Sequence, residues 1–72
     1  MFDTKNFGVY ITAKRKSKGM KQTDLAECLH ITRQSVSKYE TGKCVPDISI
    51  IIQLADILNV TLDELIKSGI PP

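Results

Sequence analysis

No apolar run in this sequence approaches the roughly 18 residues that a membrane-spanning helix requires. A chain held in a bilayer by its own helices is therefore not expected. The opening residues, Met1-Phe2-Asp3-Thr4, have neither the basic start nor the apolar stretch of a signal peptide, so the expected location is the cytoplasm. Cysteine is scarce. Cys28 and Cys44 form no CxxC pair and are expected to be reduced thiols in that compartment. Together with the single histidine, His30, they lack the spacing and the fourth ligand of a zinc site. There is no nucleophile–base pair and no glycine-rich phosphate loop. An enzyme is not expected, and no metal or cofactor is implied. Strand signals, internal repeats and low-complexity tracts are also missing.

What remains is a short, ordinary soluble composition. The chain has 72 residues, 42% of them hydrophobic and 25% charged, which suits one folded domain rather than a disordered segment. A chain of this size buries only about 60% of the surface it exposes when unfolded, so a compact helical core is the practical solution. Dimerisation is a natural supplement to such a core.

The net charge of +2 says little, but its distribution is uneven. Residues 12–43 carry eight bases and three acids, a balance of +5. Residues 44–72 carry one base and four acids, a balance of −3. One half is fit to face a polyanion. The same distribution also suits a solvated surface with no partner, and charge alone does not separate the two.

Five short helices follow from the spacing of apolar residues and from stop and start signals. The first is expected over about Asn6–Lys18, with Asn6 as cap and Gly19 as terminator. The second covers Gln22–Leu29, with Leu25, Ala26 and Leu29 as its apolar stripe, and His30-Ile31 forms the turn. The third covers Arg33–Glu40, capped by Thr32 and stopped by Gly42. The fourth, after Pro46 and capped by Asp47, has Ile51, Leu54, Ala55 and Leu58 at helical spacing. Isoleucines surround the rest of it, which marks it as the buried centre. Asn59 suits a left-handed C-cap, and Thr61 with Glu64 opens the fifth helix, expected to bury Leu62, Leu65 and Ile66. The domain is expected to span residues 1–68, with 69–72 as a tail or the start of a linker.

The segment Gln22–Gly42 reads as helix, tight turn and second helix. Ala26 is small enough for the helices to cross closely, Ile31 plugs the turn, and Val36 anchors the second helix. The rest of that second helix is polar, with Arg33, Gln34, Ser37 and Lys38 on one side. Arginine can donate two bonds to guanine, and glutamine can bond adenine in the same bidentate way. Lys21 and Gln22 open the preceding helix and Lys43 follows the polar one. From these positions phosphates on either side could be gripped.

The run from Gln22 to Lys43, then Pro46-Asp47, then Leu54 to Leu65, resembles the lambda-repressor-like helix-turn-helix family of Cro/cI or Xre type. The combined pattern is Q-x-x-L-A-x-x-L, V-S-x-Y-E-x-G-K, P and L-A-x-x-L-x-V-x-L-D-E-L. The resemblance covers about residues 6–66 and implies an all-α fold of five helices. It implies that the helix over 33–40 enters the major groove of double-stranded DNA. Arg33, Gln34 and Lys38 would read bases with Thr32 and Ser37 close by, while Gln22, Tyr39 and Lys43 would touch phosphates. Arg15 and Glu40 would form a structural ion pair. The implied activity is transcription regulation, as a repressor, by a homodimer on an inverted repeat. A further C-terminal domain is compatible with this. The alternative is a protein-interaction or antitoxin-like module for which DNA is secondary. Two positions depart from the family pattern: His30 stands where glycine is usual, and Lys21 where serine or threonine is common.

Overall fold

Thr4–Ser17 forms α1, Gln22–Leu29 α2, Arg33–Glu40 α3, Ile48–Ile57 α4 and Leu62–Lys67 α5. The structure, a computed structural model, describes residues 1–71. Among the described residues there is no strand, and no helix is long and apolar enough to cross a membrane.

Local chemistry sets the helix ends. The Thr32 hydroxyl accepts from the Ser35 N–H, Asp47 from Ile50 and Thr61 from Glu64, each meeting one of the free donors of a first turn. At α2 the help comes from the other direction. The Asp24 carboxylate accepts from the Lys21 N–H at 2.8 Å. The first four helices end alike, each closed by a left-handed residue at φ between 56° and 78°: Gly19, His30, Gly42 and Asn59. The residue after each then donates back into the last turn, Met20 to Arg15, Ile31 to Ala26, Lys43 to Lys38 and Val60 to Ala55. His30 adopts this conformation despite its Cβ.

Three expectations need correction. The first helix starts at Thr4, not Asn6, because the Asp3 carboxylate accepts from the Asn6 N–H at 3.0 Å and so supplies the cap one turn earlier. The fourth helix is not buried all round. Ile51, Leu54 and Ala55 face inward, but Ile48 and Ile52 are 63% and 54% exposed. Leu62 of α5 is exposed as well, while Leu65 is fully buried.

The core draws on every helix. Phe7 and Ile11 come from α1, Leu25, Ala26 and Leu29 from α2, Val36 from α3, Ile51, Leu54 and Ala55 from α4, Leu58 from the end of α4 and Leu65 from α5. α3 packs on α1 and α2, and α4 and α5 close the other side. α3 commits only Val36 and Glu40 to the interior, which leaves its remaining surface free. Of the segment expected as tail, Gly69 is buried under the Phe2 ring, and Pro72 lies outside the described residues.

Candidate nucleic-acid interface

The Ala26–Val36 region fixes how α3 lies across α2. Ala26 is buried at that crossing, Ile31 half-fills the turn and Val36 is 1% exposed. A second crossing, between α1 and the end of α3, depends on Gly8. A Cβ there would lie 2.7 Å from both the Glu40 carbonyl carbon and the Tyr39 carbonyl oxygen, closer than side-chain carbons approach. The helices touch backbone to backbone at that point.

The same crossing is locked by charge. Arg15 and Glu40 are nearly buried, and Arg15 Nε donates to Glu40 Oε2 at 2.6 Å while Nη2 donates to Oε1 at 3.1 Å. This is the two-bonded fork that arginine makes with a carboxylate. Arg15 Nη1 donates to the Met20 carbonyl at 2.8 Å, so the guanidinium also pins the turn between α1 and α2. Gln22 Nε2 donates to Glu40 Oε1 at 3.0 Å. Burial pushes the Glu40 carboxyl upward, but the hydrogen bonds from Arg15 and Gln22 and the Arg15 charge outweigh it and hold the group below its ordinary value. Glu40 therefore stays ionised, and one carboxylate joins α1, α2 and α3.

With α3 fixed on its inner side, its outer side gathers the polar residues. Arg33, Gln34, Ser37, Lys38 and Lys43 line one open groove of about 370 Å³. Arg33, Gln34 and Lys38 are exposed and Ser37 is half-buried. Lys43 joins the group because its backbone N–H donates to the Lys38 carbonyl at 2.9 Å, turning the chain back beside α3. No acidic side chain lines this groove.

The other candidate residues are placed less simply. Thr32 sits at the N-terminal edge of α3, its hydroxyl occupied by the Ser35 N–H and within 3.0 Å of the Ser35 hydroxyl. Lys21 is exposed at the start of α2, where its side chain makes no cap. Gln22 is half-buried and spans two partners. Besides donating to Glu40, it accepts from Arg33 Nη1 at 3.4 Å, so the buried ion pair is connected to a residue of the groove. Tyr39 is half-buried on the far side of α3, and burial, with Cys44 and Asp47 nearby, raises its hydroxyl above its ordinary value. The groove gathers neither Tyr39, Gln22 nor Lys21.

Sequence reasoning missed Gly8. A lone glycine inside a helical pattern is the available signal, since it often marks a close backbone approach.

A two-helix unit that buries one face of its second helix and presents arginine, glutamine, serine and lysine on the other defines a helix-turn-helix domain. A helix-turn-helix family profile matches residues 11–65. The chain is 44% identical over 61 residues to YonR of Bacillus subtilis (strain 168), described as an SPbeta prophage-derived uncharacterized HTH-type transcriptional regulator. The match covers 85% of this chain but 56% of that protein, so the chain spans little more than half its relative's length. Among solved structures, the restriction-modification controller protein C.AhdI from Aeromonas hydrophila superposes with a TM-score of 0.80 at 29% identity, covering 86% of this chain and 94% of that one. The biofilm master regulator SinR, solved in complex with DNA, superposes with a TM-score of 0.75 at 27% identity, covering 82% and 95%. This chain belongs to the helix-turn-helix family.

Proposed function

We propose that this chain binds double-stranded DNA sequence-specifically and regulates transcription as a repressor. The observation that carries the reading is the acid-free groove on α3, where two potential bidentate base readers, Arg33 and Gln34, stand beside Lys38 and Lys43. Arg33, Gln34 and Lys38 act as base readers, with Ser37 and Thr32 at the edge of the read surface. Lys43, Lys21, Gln22 and Tyr39 contact phosphates, Gln22 and Tyr39 with less reach than the lysines because both are half-buried. Arg15 and Glu40 hold the angle of α3 and touch no base.

A groove-reading helix covers about half an operator, so two copies are needed for a full site, with half-sites about 10 bp apart. The dimer surface is the exposed apolar stripe Val45, Ile48 and Ile52, at the start of α4 and adjoining Lys43. Leu65 of α5 is fully buried and unavailable to a partner.

The test is selection from a randomised duplex pool by the purified protein at moderate salt, followed by sequencing. An enriched inverted repeat is the expected result, and its spacing reports the dimer geometry. An unenriched pool from folded protein contradicts the reading and returns the chain to the protein-interaction class.

A further inference from the structure

The N-terminal residues sit between Gly42, at the end of α3, and Gly69, after α5. On one side the Thr4 hydroxyl donates to the Gly42 carbonyl at 3.0 Å. Gly42 is pressed against this segment. A Cβ on it would lie 3.1 Å from the Lys5 Cα and 3.2 Å from the Thr4 carbonyl carbon, and its φ of +78° disfavours a side chain in any case. On the other side the Asp3 N–H donates to the Gly69 carbonyl, and the Phe2 ring covers Gly69 so closely that a Cβ there would collide with the ring's Cζ and Cε carbons. Phe2 also meets Phe7, ring centres 5.4 Å apart, and Phe7 is wholly buried. Asp3 is held twice to α1, its carbonyl accepting from the Phe7 N–H and its carboxylate from the Asn6 N–H. Phe2–Thr4 is thus a firmly seated strap, tied to Gly42 at one end and to Gly69 at the other.

Gly42 is the left-handed residue that ends α3 and turns Lys43 toward the groove. Its carbonyl is part of the peptide unit that carries the Lys43 N–H. We propose that Thr4 is a positioning residue for Lys43, and that the strap Phe2–Thr4 couples the placement of Gly69, and of any chain that follows it, to the grip of Lys43 on DNA. The proposal rests on the phosphate role of Lys43. Rotation of the Gly42–Lys43 peptide moves the Lys43 side chain relative to α3, and the Thr4 hydroxyl resists that rotation. A displacement of Gly69 drags on Asp3, one residue from Thr4. A segment following Gly69 would exert such a pull where one is present.

The test is a double-mutant cycle on DNA affinity across a salt series, with the fold of each variant checked by circular dichroism. Lys43→Ala alone is expected to weaken binding to all sequences and to reduce the salt slope by about 1. Thr4→Val, which keeps the shape and removes the donor, is expected to weaken binding several-fold and to lower the salt slope in the same sense, with the preferred site unchanged. In the Lys43→Ala background, Thr4→Val should have no further effect. In the otherwise wild-type chain, Thr4→Ser, which keeps the donor, should bind as the wild type does. Gly69→Ala, which displaces Phe2, should reproduce the Thr4→Val behaviour and vanish in the same background.

A merely structural Thr4 would lower stability and leave the salt slope alone, and that result overturns the proposal. Additive losses for Thr4→Val and Lys43→Ala overturn it too. If Lys43→Ala itself changes nothing, the phosphate reading of Lys43 fails and takes the proposal with it. Should Gly69→Ala unfold the chain, Phe2→Leu, which loosens the same contact without adding a clash, takes its place.

Discussion

Replacing Glu40 by alanine should be among the most damaging single changes outside the apolar core. Glu40 and Arg15 are 9% and 7% exposed, and Glu40 accepts three hydrogen bonds from Arg15 and Gln22. Removing the carboxylate leaves the Arg15 guanidinium in a nearly closed site with only the Met20 carbonyl and its remaining solvent contact. Stranding one member of a buried ion pair costs about 3–5 kcal/mol. The low end applies here, since neither group is wholly dry. A domain of 72 residues has a total stability of about 4–11 kcal/mol at ordinary values per residue. A loss of about 3 kcal/mol is then a large part of the whole, and should lower the melting temperature by about 12–24 °C. Urea unfolding followed by circular dichroism measures it, with the slope expected to stay constant so that the midpoint carries the effect. The double variant Arg15→Met with Glu40→Leu removes both charges and should regain much of the loss, because the pair offsets its own desolvation cost rather than adding large net stability. A Glu40→Ala loss below about 0.5 kcal/mol, the size of an exposed surface change, would refute the reasoning. The site would then be wet and the pair a surface contact.

Three further outcomes follow from the same geometry. Gly8→Ala in a helix interior ordinarily gains about 0.5–1 kcal/mol, but the close backbone of Tyr39 and Glu40 should reverse the sign to a loss of about 1–3 kcal/mol in urea unfolding; a gain would mean the two helices separate at little cost. His30→Gly relieves about 1–2 kcal/mol of left-handed strain against roughly 0.5–1 kcal/mol of added chain entropy, so a net gain of about 0–1.5 kcal/mol is expected, and a loss of stability would show that the imidazole contributes something its exposed position does not reveal. The folded state holds Glu40 below its ordinary value, so the unfolded chain binds more protons in acid. The stability contributed is full above the unfolded value, about 4.3, and disappears as the pH falls through the folded one. Urea midpoints from pH 7 to pH 2 should show this decline, and Glu40→Gln should flatten it; an equally steep decline in that variant would assign the acid sensitivity to other carboxylates.

Much of this architecture was legible because it depends on neighbours in sequence. Thr32, Asp47 and Thr61 cap helices through groups three residues away, and Asn59 and Gly42 terminate them by their own backbone preference. The polar face of α3 was legible for the same reason, since helical spacing alone puts Arg33, Gln34, Ser37 and Lys38 together. Failures came where two local answers were both good or where the answer lay elsewhere in the chain. Asp3 and Asn6 are both fine caps, and the choice of Asp3 adds a turn to α1 that Phe2 and Gly69 help to seat. The isoleucines of α4 are apolar all round, yet a small domain has too little interior to bury both faces of that helix, so Ile48 and Ile52 stay outside. Gly8 and Thr4 matter through contacts 30 or more residues distant, with Tyr39, Glu40 and Gly42, which no local pattern encodes.

The role of α3 as the reading element is tested most directly at Gln34. Duplex pools should be selected in parallel with the wild-type chain and with Gln34→Ala, an exposed residue whose loss leaves the core intact. The same enriched site is expected in both, except that preference relaxes at one position of each half-site and affinity for the best wild-type site falls by about 1–3 kcal/mol. Identical preferences and affinities for the two proteins would contradict it.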